Sequence, residues 1–202
     1  MPDLDAAAIG STAPGHYGAA ATGVTLADTS IAAAWNVQGD PARPPFAGEV
    51  RRAFSVTLPQ APNTIVATDA LTTLWLGPTS WLLVAGGASP LVDFAAKRDA
   101  MNAQGGALFD LTASRVAWTV SGAHAATVLA TSCPLDFHPR AFVAGACAQS
   151  VLGHINAVIV KRDETATFTV MVARSFARDL WHVLSLSAAR HGYDVAPPTA
   201  FR

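Results

Sequence analysis

Charge is scarce in this chain. Asp, Glu, Lys and Arg make up 13% of its 202 residues, against about 25% in an ordinary soluble domain, and Lys97 and Lys161 are the only lysines. With a net charge of −1, the chain lacks the concentrated basic face that nucleic-acid binding needs, and no nucleic-acid partner is expected. Hydrophobic residues reach 51%, which excludes an intrinsically disordered chain, built on low hydropathy and high charge. The missing charge has two readings: a surface covered by partners, or dilution by abundant alanine.

Cysteine is limited to Cys133 and Cys147, too few for a disulfide framework and without a C-x-x-C spacing. A cytoplasmic location with reduced thiols is expected. The segment MPDLDAAAIG lacks a basic stretch leading into an apolar one, so no export signal is expected. No apolar run approaches the roughly 18 residues of a spanning helix, so no membrane partner is expected. Neither G-x-G-x-x-G nor G-x-x-x-x-G-K-[ST] occurs, and there is no G-x-S-x-G elbow. Gly86-Gly87 and Gly105-Gly106 flank a predicted helix, and helix termination accounts for them better than phosphate binding.

What is present predicts a mixture of strands and helices. Residues 1–50 read as an N-terminal arm, partly extended or mobile. The arm is either a disordered tail or an extension that orders on a neighbouring subunit, and Pro41, Pro44 and Pro45 mark a turn or extended connection. Residues 51–194 read as a single α+β domain and 195–202 as a C-terminal tail. Phe54, Val56 and Leu58 alternate with small residues and predict a strand. Leu74–Leu76, a turn at 77–80 and Trp81–Val84 predict a hairpin. Ser89-Pro90 then predicts a helix start, with Leu91, Phe94, Ala95, Arg98 and Met101 at helical spacing.

The phrase recurs. Strands at 157–160 and 167–172 precede a helix capped by Ser175, with Phe176, Leu180, Val183, Leu184 and Ala188 on one face and Gly192 at its end. Between the two phrases, 115–120 predicts a strand, 123–130 a short helix, 133–140 a loop and 145–152 a strand. The expectation is an α+β fold of mostly antiparallel sheets with helices packed on them, built from pseudo-duplicated hairpin-helix units.

The densest polar group is Cys133, Asp136, His138, Arg140, Cys147 and His154. A metal set of Cys133, His138, Cys147 and His154 has the spacing C-x4-H-x8-C-x6-H, which matches none of the common zinc patterns. An unbroken strand would also hold Cys147 and His154 more than about 20 Å apart. A catalytic pair of Cys147 and His138 is a second reading, opposed by the alanines that flank Cys147 in a predicted strand, where thiols pack rather than react. The third reading has Asp136, His138 and Arg140 bonding the loop backbone and presenting the loop to a partner. Trp35, Trp75, Trp81, Trp118 and Trp181 read as core packing, with interface anchoring as the other use of tryptophan. His124 and His182 read as structural.

The phrase CPLDFHPRAFVAGACAQS, residues 133–150, resembles the gamma subunit family of bacterial heterotetrameric sarcosine oxidase. Cys133, Pro134, Leu135, Asp136, His138, Pro139, Arg140, Phe142, Gly145, Cys147 and Ala148 match the family's C-P-L-D-[LF]-H-P-R-x-F…G-x-C-A-[QT] pattern. Leu76-Gly77-Pro78 with Trp81–Leu83, Asp110–Thr112 and Arg174–Ala177 agree with its flanking segments, so the likeness spans about 70–192. The resemblance implies a fold like the folate-binding domain of glycine-cleavage T-protein. It implies a chain that carries no catalytic residue, cofactor or metal site of its own, beside alpha, beta and delta subunits that hold FAD, FMN, NAD, tetrahydrofolate and zinc. Within that family, Cys133, Pro134, Asp136, His138, Pro139, Arg140 and Cys147 are signature or interface candidates. The alternative is a free-standing folate-binding or aminomethyltransferase-like module. Asp110 and Asp136 are the nearest candidates for its catalytic acid, and neither lies in a convincing match.

Overall fold

The structure is a computed structural model in which residues 13–87 and 93–201 are described. The chain forms two compact units, each assembled from separate stretches. The first takes Met1–Ser30, Ser114–Ala144 and Ala148–Thr199, and the second Ile31–Ala113, Gly145–Cys147 and Ala200–Arg202.

The strands of the first unit are β1 (Gly15–Tyr17), β2 (Val24–Ser30), β8 (Arg115–Ser121), β9 (Ala146–Leu152), β10 (Ile155–Lys161), β11 (Thr167–Ala173) and β12 (Tyr193–Ala200), except that Ala146, Cys147 and Ala200 at two strand ends fall in the second. They form one sheet in the order β1-β12-β2-β8-β11-β10-β9. Cross-strand neighbours share a face, and the register sets Leu26, Val120 and Phe168 in one row and Asp28, Trp118 and Val170 in the next. Most of this face is apolar and fully buried. Helix α3 (Ala125–Ala130) buries Val128 and Leu129. Helix α4 (Ala177–Ala189) buries Leu180, Leu184 and Ala188, and its Trp181 ring lies 4.7 Å from that of Trp118. Burying side chains of this size stabilises by about 1.5–3 kcal/mol each.

At one edge β1 is clasped to β12. His16 stands opposite Asp194 in the ladder, its Nδ1 2.7 Å from the Asp194 carboxylate and its Nε2 2.8 Å from the Ala19 carbonyl. Tyr17 stacks on Tyr193. Gly192 has φ +67°, and a Cβ there would stand 1.8 Å from the Ala21 carbonyl oxygen. Glycine is therefore required where α4 gives way to β12.

The second unit holds β3 (Ala33–Gln38), β4 (Ile65–Ala67), β5 (Thr72–Gly77), β6 (Ser80–Ala85) and β7 (Ala107–Asp110) in the order β4-β5-β6-β3-β7. Trp35, Val37, Trp81 and Leu83 form one core with Phe46, Val50 and Phe54 of α1 (Pro44–Phe54) and Met101 of α2 (Phe94–Ala103). The Trp81 indole N–H donates to the Pro59 carbonyl at 2.8 Å. Every strand pair whose register is given above, and those joining β3 to β6 and β7 and β5 to β4 and β6, is antiparallel. The fold is α+β, with one hairpin-helix phrase in each unit: β5-β6-α2 in the second and β10-β11-α4 in the first.

Several expectations are corrected. The arm expected over residues 1–50 instead supplies β2, β3 and most of α1, with Leu26, Val37 and Phe46 fully buried; its first twelve residues lie outside the described ones. The strand expected at 54–58 is the end of α1 followed by irregular chain. Pro44 and Pro45 occupy the first helical turn, where the missing N–H costs nothing, and Ser55 stops the helix with φ 57°. The tail expected at 195–202 is largely β12. The helix start expected at Ser89-Pro90 lies outside the described residues, and α2 is capped by Asp93, whose carboxylate accepts the Ala96 N–H. Ser175 does not cap α4: a 3-10 turn over Arg174–Phe176 precedes it, and Phe176 is 37% exposed rather than on the buried face.

Candidate functional site

The loop between α3 and β9 is irregular from Cys133 to Gly145, and its shape follows from its residues. Asp136 Oδ1 accepts the His138 N–H at 2.8 Å, and His138 Nδ1 accepts the Arg140 N–H at 3.2 Å. Each side chain thus bonds the backbone two residues on, in the manner of an Asx turn. The His138 carbonyl then accepts the N–H groups of Ala141 and Phe142 at 2.8 and 2.9 Å. An accepting Nδ1 carries no proton, so the neutral ring of His138 has its hydrogen on Nε2. Pro134 and Pro139 restrict the backbone between these turns.

Three apolar points fasten the loop to the first unit. Cys133 is buried and donates its S–H to Ser150 Oγ at 3.6 Å. Phe137 and Phe142 are buried against Phe168, with ring centroids 5.5 and 6.1 Å from it. Lys161, only 2% exposed, donates to the Phe142 carbonyl at 3.2 Å and places its ammonium 6.0 Å from the centre of the Phe168 ring. A carbonyl and a π face are its direct contacts, and its charge also acts on the Asp163 carboxyl. Pro134, Asp136, His138, Pro139 and Arg140 all remain exposed.

Sequence reasoning found the contiguous part of this arrangement, Cys133, Asp136, His138 and Arg140, and missed Lys161, Phe168 and Ser150. Cys147 has a separate role. It belongs to the second unit, and its thiol donates to the Thr64 carbonyl at 3.4 Å and the Trp75 carbonyl at 3.5 Å. Burial pushes that thiol up to about 11. Among the described residues no hydrogen bond joins it to His138, and no group of three His, Cys, Asp or Glu is placed to hold a metal ion. Asp110 accepts the Thr112 N–H at 2.8 Å, so both nearest candidates for a catalytic acid are occupied in shaping turns. Asp28 also went unnoticed in the sequence. Burial raises its carboxyl pKa, while the Thr29 N–H and the Arg174 charge pull it back.

The fold places the chain in a known structural class. It matches the glycine-cleavage aminomethyltransferase T of Bartonella henselae with a TM-score of 0.57 at 16% identity, over 88% of this chain and 48% of that one. A likeness at that identity concerns the fold alone. A chain of heterotetrameric sarcosine oxidase from Corynebacterium sp. U-96, solved in complex with pyrrole 2-carboxylate, is nearer: TM-score 0.71 and 25% identity over 86% of this chain and 87% of that one. The chain belongs to the sarcosine oxidase gamma subunit family, whose model matches residues 38–190. Sarcosine oxidase subunit gamma of Corynebacterium sp. (strain P-1) is 30% identical over 83% of this chain and 81% of its own length. The Arthrobacter subunit gamma is 29% identical over 76% and 74%.

Proposed function

We propose that this chain is the non-catalytic gamma subunit of a heterotetrameric sarcosine oxidase, acting in the cytoplasm beside alpha, beta and delta subunits. The complex oxidises sarcosine to glycine and hydrogen peroxide and releases the methyl carbon as formaldehyde or as 5,10-methylenetetrahydrofolate. FAD, FMN, NAD, tetrahydrofolate and zinc reside in the other subunits. Family membership supports the assembly, and the relative from Corynebacterium sp. U-96 is itself heterotetrameric.

One observation carries the non-catalytic role. In the signature loop, Asp136 and His138 are engaged with the loop's own backbone. A general acid or base must instead reach a substrate proton. Pro134, Asp136, His138, Pro139 and Arg140 therefore act as a presented surface, Cys133 as a point that fastens the loop, and Cys147 as a packing residue. Among the described residues no helix is long and apolar enough to cross a membrane.

The test is co-expression with the alpha, beta and delta subunits of a sarcosine oxidase. The isolated chain is expected to be colourless, and the co-expressed chain to elute inside a yellow four-subunit complex that consumes oxygen with sarcosine. A chain that stays outside that complex, or that transfers a methylene group to tetrahydrofolate on its own, overturns the reading.

A further inference from the structure

The signature loop divides into two sides. Cys133, Phe137 and Phe142 face the unit, while Pro134, Pro139, Arg140 and Val143 face outward, Val143 at 49% exposure. The backbone N–H of Arg140 is fixed by His138 Nδ1, and two residues further on the Phe142 carbonyl is fixed by buried Lys161. The segment that carries the guanidinium is thus tied down on both sides without help from the guanidinium itself, which has no ion-pair partner among the described residues. In a chain with 13 basic residues in all, this places an unpaired arginine on a pre-shaped, apolar-rimmed loop. Arginines set among apolar neighbours recur as the energetic centres of protein interfaces, and a pre-shaped loop loses little freedom on binding.

We infer that Arg140 docks onto a carboxylate of a partner subunit of the oxidase, an Asp or Glu flanked by apolar side chains. The inference rests on the gamma-subunit reading. A carboxylate is the ligand of choice for two reasons. The planar guanidinium fork matches it with two parallel hydrogen bonds. A phosphate dianion would call for more positive charge than one arginine supplies. The Nε2–H of His138, used by no contact among the described residues, is a second donor for the same acceptor.

The experiment titrates the complex lacking this subunit with full-length chain, wild type or variant, at low and high salt. Arg140→Ala is expected to weaken assembly by about 30-fold or more, the range for truncating one side of a buried charge pair, and to remove much of the salt dependence. Arg140→Lys is expected to keep the salt dependence and recover only part of the affinity. The thermal midpoint of the isolated chain is expected to be unmoved in both variants, as for exposed substitutions generally. Wild-type affinity in Arg140→Ala overturns the assignment of Arg140 while leaving the gamma-subunit reading intact. A fall of several degrees in the isolated variant also overturns it, by making Arg140 a folding residue. A wild-type chain that fails to join the complex overturns both.

Discussion

At the scale of single residues, the buried side chains of Cys147 and Lys161 each donate to a backbone carbonyl. With its thiol raised to about 11 from an ordinary 9.0, Cys147 holds about a hundredfold less thiolate near neutral pH than a free cysteine. Iodoacetamide at pH 8 is expected to leave it unmodified in the folded chain and to alkylate it readily in urea. Peptide mass mapping reads the result, and rapid native alkylation would restore the nucleophile reading. Cys147→Ala is expected to leave turnover of the assembled oxidase unchanged. Lys161 sets its side-chain nitrogen against the Phe142 carbonyl and the Phe168 ring. Lys161→Met retains the stem but abandons that carbonyl, and a loss of about 1–3 kcal/mol is expected in urea unfolding. Lys161→Ala, which also leaves a cavity, is expected to cost more. The contrast shows what was legible. Asp136 and His138 each accept the backbone N–H two residues on, the second from Arg140, so a reader of the sequence meets them together. Lys161 meets its acceptor 19 residues away, and a lysine at the end of an apolar run reads as a strand terminus.

At the scale of elements, two histidines of opposite preference lie near the start of β12: His16 in the β1–β12 clasp, and His191 two residues before the strand. Both nitrogens of His16 face acceptors, so the imidazolium is the bonded form. The Asp194 hydrogen bond, then the Ala19 carbonyl, raise its pKa above the ordinary 6.5. Stabilisation from His16 is therefore complete below pH 6.5 and lost as pH rises through its folded value. His191 stacks on His124 with ring centroids 4.4 Å apart and accepts from Arg190. Burial first, then the charges of His124 and Arg190, hold it below 6.5. Its stabilisation is present above pH 6.5 and lost as pH falls through its folded value. The difference in thermal midpoint between wild type and His16→Ala is expected to shrink as pH rises from about 6 to about 9, and that between wild type and His191→Phe to shrink as pH falls from about 7.5 to about 5. Differences flat across these ranges would show that neither histidine's proton is linked to folding. Helix α1 shows why other elements were misread. Its buried stripe is Phe46, Glu49, Val50 and Phe54, and a glutamate paired with Arg52 interrupts the apolar pattern a helix is recognised by. Val56 and Leu58 are buried as their alternation required, but by irregular chain after Ser55 rather than by a strand.

At the scale of the whole molecule, low charge coincides with apolar groups left on the surface: Leu186 at 68% exposure, Val143 at 49% and Phe109 at 48%. Sedimentation of the isolated chain is expected to show self-association that rises with concentration and is suppressed once the partner subunits are present. A clean monomer at high concentration would favour the alanine-dilution reading of the composition. The α+β class and the paired hairpin-helix phrases were legible because they rest on local periodicity. The order β1-β12-β2 was not, because Pro197 and Pro198 argue against a strand wherever sequence alone is weighed, and no local signal joins residue 15 to residue 195.

That strand order has a consequence for synthesis. β2 pairs with β8 on one side and with β12 on the other. Growing at about 5–20 residues per second, the nascent chain completes β8 some seconds before β12 emerges. During that interval β2 offers an open row of backbone groups to any other extended chain. Completion of the sheet is thereby deferred until β12 has been made, and a holding chaperone has a defined edge to guard until Tyr193–Ala200 arrives. Chains arrested before Tyr193 on the ribosome should be cut by protease within the first unit, and the same sites should become resistant once the full chain is released.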